Sequence, residues 1–226
     1  LVFTLAEMVP YVPFPHRLAV VVHFADEVGP DAVDMQLVGR QAVLEQAATA
    51  VVGVQALGAG VGQRLADAGE GPGDGDLVGH LGVLARARAA LDEAGYAHIV
   101  LCPETMGKIN QLGTLEEVLT LCELDERMLP CIDFGHLNAR TLGSVRTQED
   151  YAAILDRMAE VLGDDRARQF HVHFSRIEYS AGGEKRHWTF ADTQFGPEPQ
   201  PLMELLAERG LAPVVICESA GTQAED

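Results

Sequence analysis

Residues 129–136 read LPCIDFGH. A short apolar run, 129–133, ends on Asp133, and His136 follows one turn later. Three further segments repeat that grammar. Residues 97–102 (AHIVLC) lead through Pro103 to Glu104, residues 169–174 (QFHVHF) present His171 and His173, and residues 213–217 (PVVIC) run into Glu218. Helical text lies between these runs. Residues 84–93 stop at Gly95, a natural left-handed cap. Thr114 and Glu117 form a capping box ahead of Val118, Leu119 and Leu121. Thr147 caps a longer helix through Leu162, with Ala152, Leu155, Met158 and Leu162 at 3–4 spacing. Residues 201–209 start on a proline and end before Gly210. Strand and helix alternate, which predicts an α/β class with a parallel sheet.

In such folds the carboxyl ends of the strands share one rim, where sites assemble. Four strands here deliver Glu104, Asp133, His173 and Glu218 to that rim. These are donors for a hard or borderline divalent ion, and the four are expected to converge on one metal. Each has a plainer role to set beside this. Glu104 also reads as a loop carboxylate solvated at the rim, although the apolar strand and Pro103 before it fix its approach, and Asp133 reads equally as an N-cap for the next segment. His171 reads best as a hydrogen-bonded core histidine. Glu218 is the hardest to explain structurally, because a carboxylate after PVVIC is expensive to bury without a partner. His98 begins its strand at the far end of the sheet, and His16 and His80 default to the surface.

Composition bounds the rest. The chain has 226 residues, 47% apolar and 22% charged, enough for one domain spanning 1–226 with a sizeable core. Four cysteines make no disulfide scaffold and read as reduced thiols. No apolar run reaches the ~18–20 residues of a membrane span. The first nine residues carry no basic stretch of the signal-peptide kind, so a cytoplasmic protein with no membrane partner is expected. A net charge of −18 argues against a broad non-specific grip on nucleic acid. It leaves room for a metal-mediated phosphate site.

The two halves differ. Residues 1–98 contain no Ile, Lys, Asn, Ser, Cys or Trp, with five Arg against twelve acidic residues. Residues 1–83 are accordingly atypical, and 84–226 carry the recognisable units. Residues 58–79 (GAGVGQRLADAGEGPGDGDLVG) read as a loop. Residues 18–24 (LAVVVHF) and 50–56 (AVVGVQA) are the strand candidates there. A divergent half, an unrelated fused segment and out-of-frame translation of a GC-rich gene all account for this composition.

The segments CPETMGKINQLGT, CIDFGHLNA, HVHFS, EKRHWTF and VICES, over about residues 84–223, resemble the endonuclease IV and xylose-isomerase-like superfamily. That resemblance implies a (β/α)8 TIM barrel, incomplete or irregular in the N-terminal half. It assigns Glu104, Asp133, His173 and Glu218 to the metal, with Glu104 and Glu218 also catalytic. His136 becomes a ligand in the nucleases or a substrate contact in the sugar epimerases. The stretch from Gly107 to Gly113 and the pair Arg186–His187 look more like endonuclease IV, which makes His187 a further zinc ligand. The nuclease pattern has Asp two residues before that histidine. Lys185 stands there, and with Arg186 it is expected to meet a substrate phosphate. Of two early histidines in the pattern, His23 is placed to be one, and Gln55 stands near the place of the other.

Two chemistries follow from the resemblance. In the first, zinc activates water against a phosphodiester at an abasic site in DNA. In the second, one Zn2+, Mn2+, Mg2+ or Co2+ polarises a small sugar or sugar phosphate while Glu104 and Glu218 move a proton beside the carbonyl. The expectation settles on the nuclease, with the isomerase or epimerase as alternative and a non-catalytic metal-binding remnant as the third class.

Overall fold

The runs 129–133, 169–174 and 213–217 each contain a strand, Cys131–Asp133, His171–Phe174 and Val214–Cys217, and these pair side by side in parallel, which places the site. A computed structural model of the chain describes residues 19–24, 33–38, 74–93, 95–221 and 226. It divides into two units, residues 1–103 with 124–128, and residues 104–123 with 129–226.

In the first unit, β1 (Ala19–Phe24) pairs antiparallel with β2 (Val33–Val38) and parallel with β3 (Val100–Pro103). Residues 25–32 are too few for a parallel crossover, which needs a dozen or more, so β2 can only return antiparallel. Helix α1 spans Asp74–Glu93 and buries Val83, Leu84, Ala87 and Leu91. It begins ten residues before the expected helix, inside the stretch read as a loop, because its glycines mask the helical text there. Past its end, Gly95 takes φ +84°, and the Tyr96 amide reaches back to the Leu91 carbonyl. Buried Arg88 donates to the Ile99 carbonyl and to Asp92, tying the helix to the start of β3.

The second unit is built on the parallel sheet β4 (Cys131–Asp133), β5 (His171–Phe174) and β8 (Val214–Cys217), in the order β4–β5–β8. Around it lie α2 (Leu115–Cys122), α3 (Phe134–Arg140), α4 (Gln148–Leu162), α5 (Asp164–Ala167) and α6 (Pro199–Glu208). The expected capping box of Thr114 with Glu117 forms, and Thr147, read as a cap, forms a further box with Asp150. Phe134, Tyr151 and Phe174 form the aromatic centre of the core, with ring centroids 5.2 and 6.4 Å apart. A hairpin, β6 (Arg176–Ser180) and β7 (Gly183–Trp188), is inserted between β5 and α6.

These pairings correct the barrel. A (β/α)8 barrel closes a ring of eight parallel strands, each paired on both sides. Among the described residues the strands form two three-stranded sheets and one hairpin, and β2 and the hairpin are antiparallel. The fold is a small mixed α/β arrangement. The expected strand 50–56, with Gln55, and His16 lie outside the described residues. His23 lies in β1 opposite Asp34; its side chain also lies outside them. Among the described residues, no helix is long and apolar enough to cross a membrane. Cys102, Cys122, Cys131 and Cys217 form no disulfide, and the first three are buried.

Candidate metal centre

Parallel register sets the first group of donors. Asp133 pairs with His173 across β4 and β5, and His173 with Ile216 across β5 and β8. Glu218 therefore emerges just beyond the sheet, its amide bonded to the Phe174 carbonyl at 3.0 Å. Glu104 continues from β3 and bridges to Cys131. Thr105 fixes that approach. Its hydroxyl accepts from the Asp133 amide at 2.8 Å and donates to the Asp133 carbonyl at 3.2 Å.

The result is a tight constellation. Glu104, Asp133, His173 and Glu218 each offer a donor atom within 4.8 Å of the others. His173 Nδ1 lies 2.9 Å from Glu104 Oε1 and 3.1 Å from Glu218 Oε1. Glu104, Asp133 and His173 are fully buried. Asp133 fills both roles read for it. One oxygen caps α3 by accepting from the His136 amide at 2.8 Å, while Oδ2 is buried with no hydrogen bond.

Burial and the crowding of carboxylates set the electrostatics of this group. Burial raises the Asp133 carboxyl above its ordinary value, and the Glu218 and Glu104 charges add to that against His136. Burial works against charging His173, yet Cys131 and Glu104 hold its pKa well above the usual range. Burial also opposes ionisation of Glu218, but the His173 contact outweighs it and lowers that pKa. A metal held by His173 would need the neutral imidazole, so binding there would release that proton. Three carboxylates and one imidazole suit Zn2+, Mn2+, Mg2+ or Co2+.

A second group abuts the first. His136, Glu184 and His187 also bring donor atoms within 4.8 Å of one another. His136 donates from Nδ1 to the Thr105 carbonyl at 2.9 Å, with Asp133 Oδ2 3.2 Å from the same nitrogen. A carbonyl only accepts, so Nδ1 carries the proton and Nε2 is left as a donor atom for a metal. That Nε2 lies 3.4 Å from Glu184 Oε2, and His187 Nε2 lies 3.7 Å from Glu184 Oε1. Ser175 bonds His187 Nδ1 at 2.8 Å. Burial disfavours charging His187, but Glu184 and Asp133 raise its pKa to about 9. A Cβ on Gly107 would sit 2.6 Å from Glu184 Cβ and 3.0 Å from His136 Cδ2, so the backbone passes against this pair where only glycine fits.

Glu184 is the donor that sequence reasoning missed. Residues three apart on a strand face opposite ways, so Glu184 and His187 have no common face in a regular β7. The register breaks between them. Glu178 pairs with Arg186 and Tyr179 with Glu184, which leaves Lys185 as the extra residue of a β-bulge. The bulge re-aims Glu184 toward His136 and His187, and Lys185 points elsewhere. Lys185 Nζ and Arg186 Nε each reach Glu178 at 2.7 Å, with both side chains largely exposed. His171 is buried, and its pKa falls to about 4 through burial and the neighbouring His173 charge. It stays neutral.

No family model matches the chain. It is similar to an uncharacterized protein of Methanocaldococcus jannaschii, 37% identical over 127 residues. That match covers 56% of this chain and 45% of the archaeal protein, so the chain spans less than half the length of that relative.

Proposed function

We propose that the chain is a divalent-metal-dependent hydrolase of the endonuclease IV kind, acting on phosphodiesters at abasic sites in DNA, with Zn2+ as its metal. One observation carries this reading: a second donor group, His136, Glu184 and His187, directly adjoins Glu104, Asp133, His173 and Glu218. A single-ion isomerase has no use for that second group. Adjacent metals clamp the oxygens of a displaced phosphoryl group, lower the pKa of coordinated water and neutralise developing charge. Glu104, Asp133, His173 and Glu218 would hold the first ion, and Thr105 ties the backbone after Glu104 to Asp133. Lys185 and Arg186 stand next to Glu184 and His187 and offer cations to the phosphates flanking the break, at the expense of their pairing with Glu178.

One specific observation favours the alternative, a sugar isomerase or epimerase. Glu104 and Glu218 flank one imidazole nitrogen at 2.9 and 3.1 Å, the paired carboxylates that proton transfer beside a carbonyl requires.

Metal content and two assays separate them. The chain, stripped with chelator and reloaded with Zn2+, is expected to hold two equivalents and to nick a duplex oligonucleotide at an abasic site. One equivalent with aldose–ketose exchange identifies the isomerase. Bound metal with neither activity identifies a non-catalytic binding protein, and no bound metal overturns all three.

A further inference from the structure

Arg140 closes α3, and neither chemistry above uses it. It stands four residues after His136, so the two side chains are neighbours on one face of the helix. Both reach the backbone that follows β3. His136 Nδ1 meets the Thr105 carbonyl, and the Arg140 guanidinium donates to the carbonyls of Met106, Ile109 and Gln111 at 2.8, 3.1 and 2.6 Å. Met106 and Gln111 are buried, while residues 108–110 between them are exposed. One guanidinium therefore ties the neck of a loop whose tip faces solvent. The other side of that loop is stitched to the hairpin. The Glu184 amide donates to the Gly107 carbonyl at 3.0 Å, the Ile109 amide to the Gly182 carbonyl at 3.2 Å, and Lys108 bridges antiparallel to Gly183.

The second donor group takes His136 from α3, and Glu184 and His187 from β7, so it exists only while those two elements keep their spacing. The loop touches both, with Gly107 against His136 and Glu184. Resting on the metal reading above, we infer that Arg140 is a positioning residue for the second ion: its fork holds the 106–111 loop on α3, and the loop holds β7, so that Glu184 stays against His136. The bulge at Lys185 aims the Glu184 side chain from its strand, and Arg140 sets where that strand stands. Arginine suits the task. A planar guanidinium presents five N–H groups in a fixed fork to the three converging carbonyls, whereas an ammonium is a point charge on a flexible stem.

Amide hydrogen exchange of the metal-free chain and Zn2+ titration test this together. In Arg140→Ala the Ile109 and Glu184 amides should exchange more than about tenfold faster, because hydrogen bonds from a charged donor are lost. The Glu218 amide, bonded to the Phe174 carbonyl at the sheet, should keep its wild-type rate. Second-ion affinity should fall about 10–100-fold, as on loss of an outer partner, with strand-end affinity within a few-fold of wild type. Arg140→Lys keeps the charge without the fork and should lose the second ion in the same way. Wild-type second-ion affinity in R140A or R140K overturns the inference. So does equal acceleration of the Glu184 and Glu218 amides, which marks general loosening of the fold. Should R140A fail to fold, the same two measurements on R140K decide. Absence of Zn2+ binding by the wild type defeats the metal reading itself, and the exchange rates alone then decide whether Arg140 holds the loop.

Discussion

The two donor groups abut, yet they are built in opposite ways. Glu104, Asp133, His173 and Glu218 are placed by parallel strands whose register puts each side chain at a level determined by its neighbours. His136, Glu184 and His187 come from the first turn of α3 and from a bulged antiparallel hairpin. Burial differs less than construction does. Three of the four strand-end residues are fully buried and the Glu218 side chain is 19% exposed; in the second group His136 is buried, and the Glu184 and His187 side chains are 16% and 25% exposed. A group locked into a sheet depends on many backbone bonds, and one aimed by a bulge depends on a single extra residue.

Removing a strand-end donor should have the largest effect. Glu104→Gln keeps the shape of the side chain and loses its charge, next to a His173 nitrogen 2.9 Å away. Affinity at the strand-end group should fall by more than about a hundredfold, beyond the 10–100-fold typical of outer partners. Isothermal titration with Zn2+ reads this directly. If the comparison is sound, the hairpin group keeps its own ion in E104Q. Loss of both ions together would show that the two groups form one inseparable site.

Inserting one residue between Glu178 and Tyr179 attacks the other construction. It gives Lys185 a cross-strand partner, so β7 regains strict alternation, and Glu184 and His187, three apart, turn to opposite faces. Metal content should drop from two equivalents to one, with the strand-end affinity changed only a few-fold. Unchanged stoichiometry would mean that the bulge does not aim Glu184.

The same contrast explains what could be read from the sequence. Strand-end donors are legible because an apolar run that stops on a carboxylate or histidine is visible in one dimension. The helix caps were legible because Thr114 with Glu117, and Thr147 at the head of α4, are local signals. Glu184 was hidden because a bulge leaves no mark on period-two alternation. The barrel was over-read. Alternating strands and helices establish parallel neighbours such as β4, β5 and β8, but closure depends on pairings far apart in sequence. The antiparallel return of β2 after Phe24 is such a pairing. The start of α1 at Asp74 was missed because glycines there suppressed the helical reading.

The smallest effect tests whether the strand-end group also leans on structure outside the sheet. Thirteen residues past Glu104, the Glu117 carboxylate accepts from the Gly113 and Thr114 amides at 2.9 and 2.8 Å, closing the loop that carries Glu104 into α2. Burial tends to raise its pKa, but those amides and the Thr114 hydroxyl outweigh it, so the pKa in the folded chain lies below the ordinary 4.5. A carboxyl depressed on folding stabilises the chain above its unfolded pKa, and that contribution is lost as pH falls through the folded value. Thermal unfolding of the metal-free chain should therefore show wild type more stable than Glu117→Gln at pH 6, by about 1 kcal/mol as for a helix cap. The gap should close as pH drops from about 4.5 through the folded pKa. Zn2+ affinity at the strand-end group should change less than threefold, because Thr105 still holds Glu104 against β4. A gap that persists at low pH would assign the stabilisation to packing rather than to the ionised cap. A tenfold loss of Zn2+ affinity would show that the loop, and not the sheet register alone, positions Glu104.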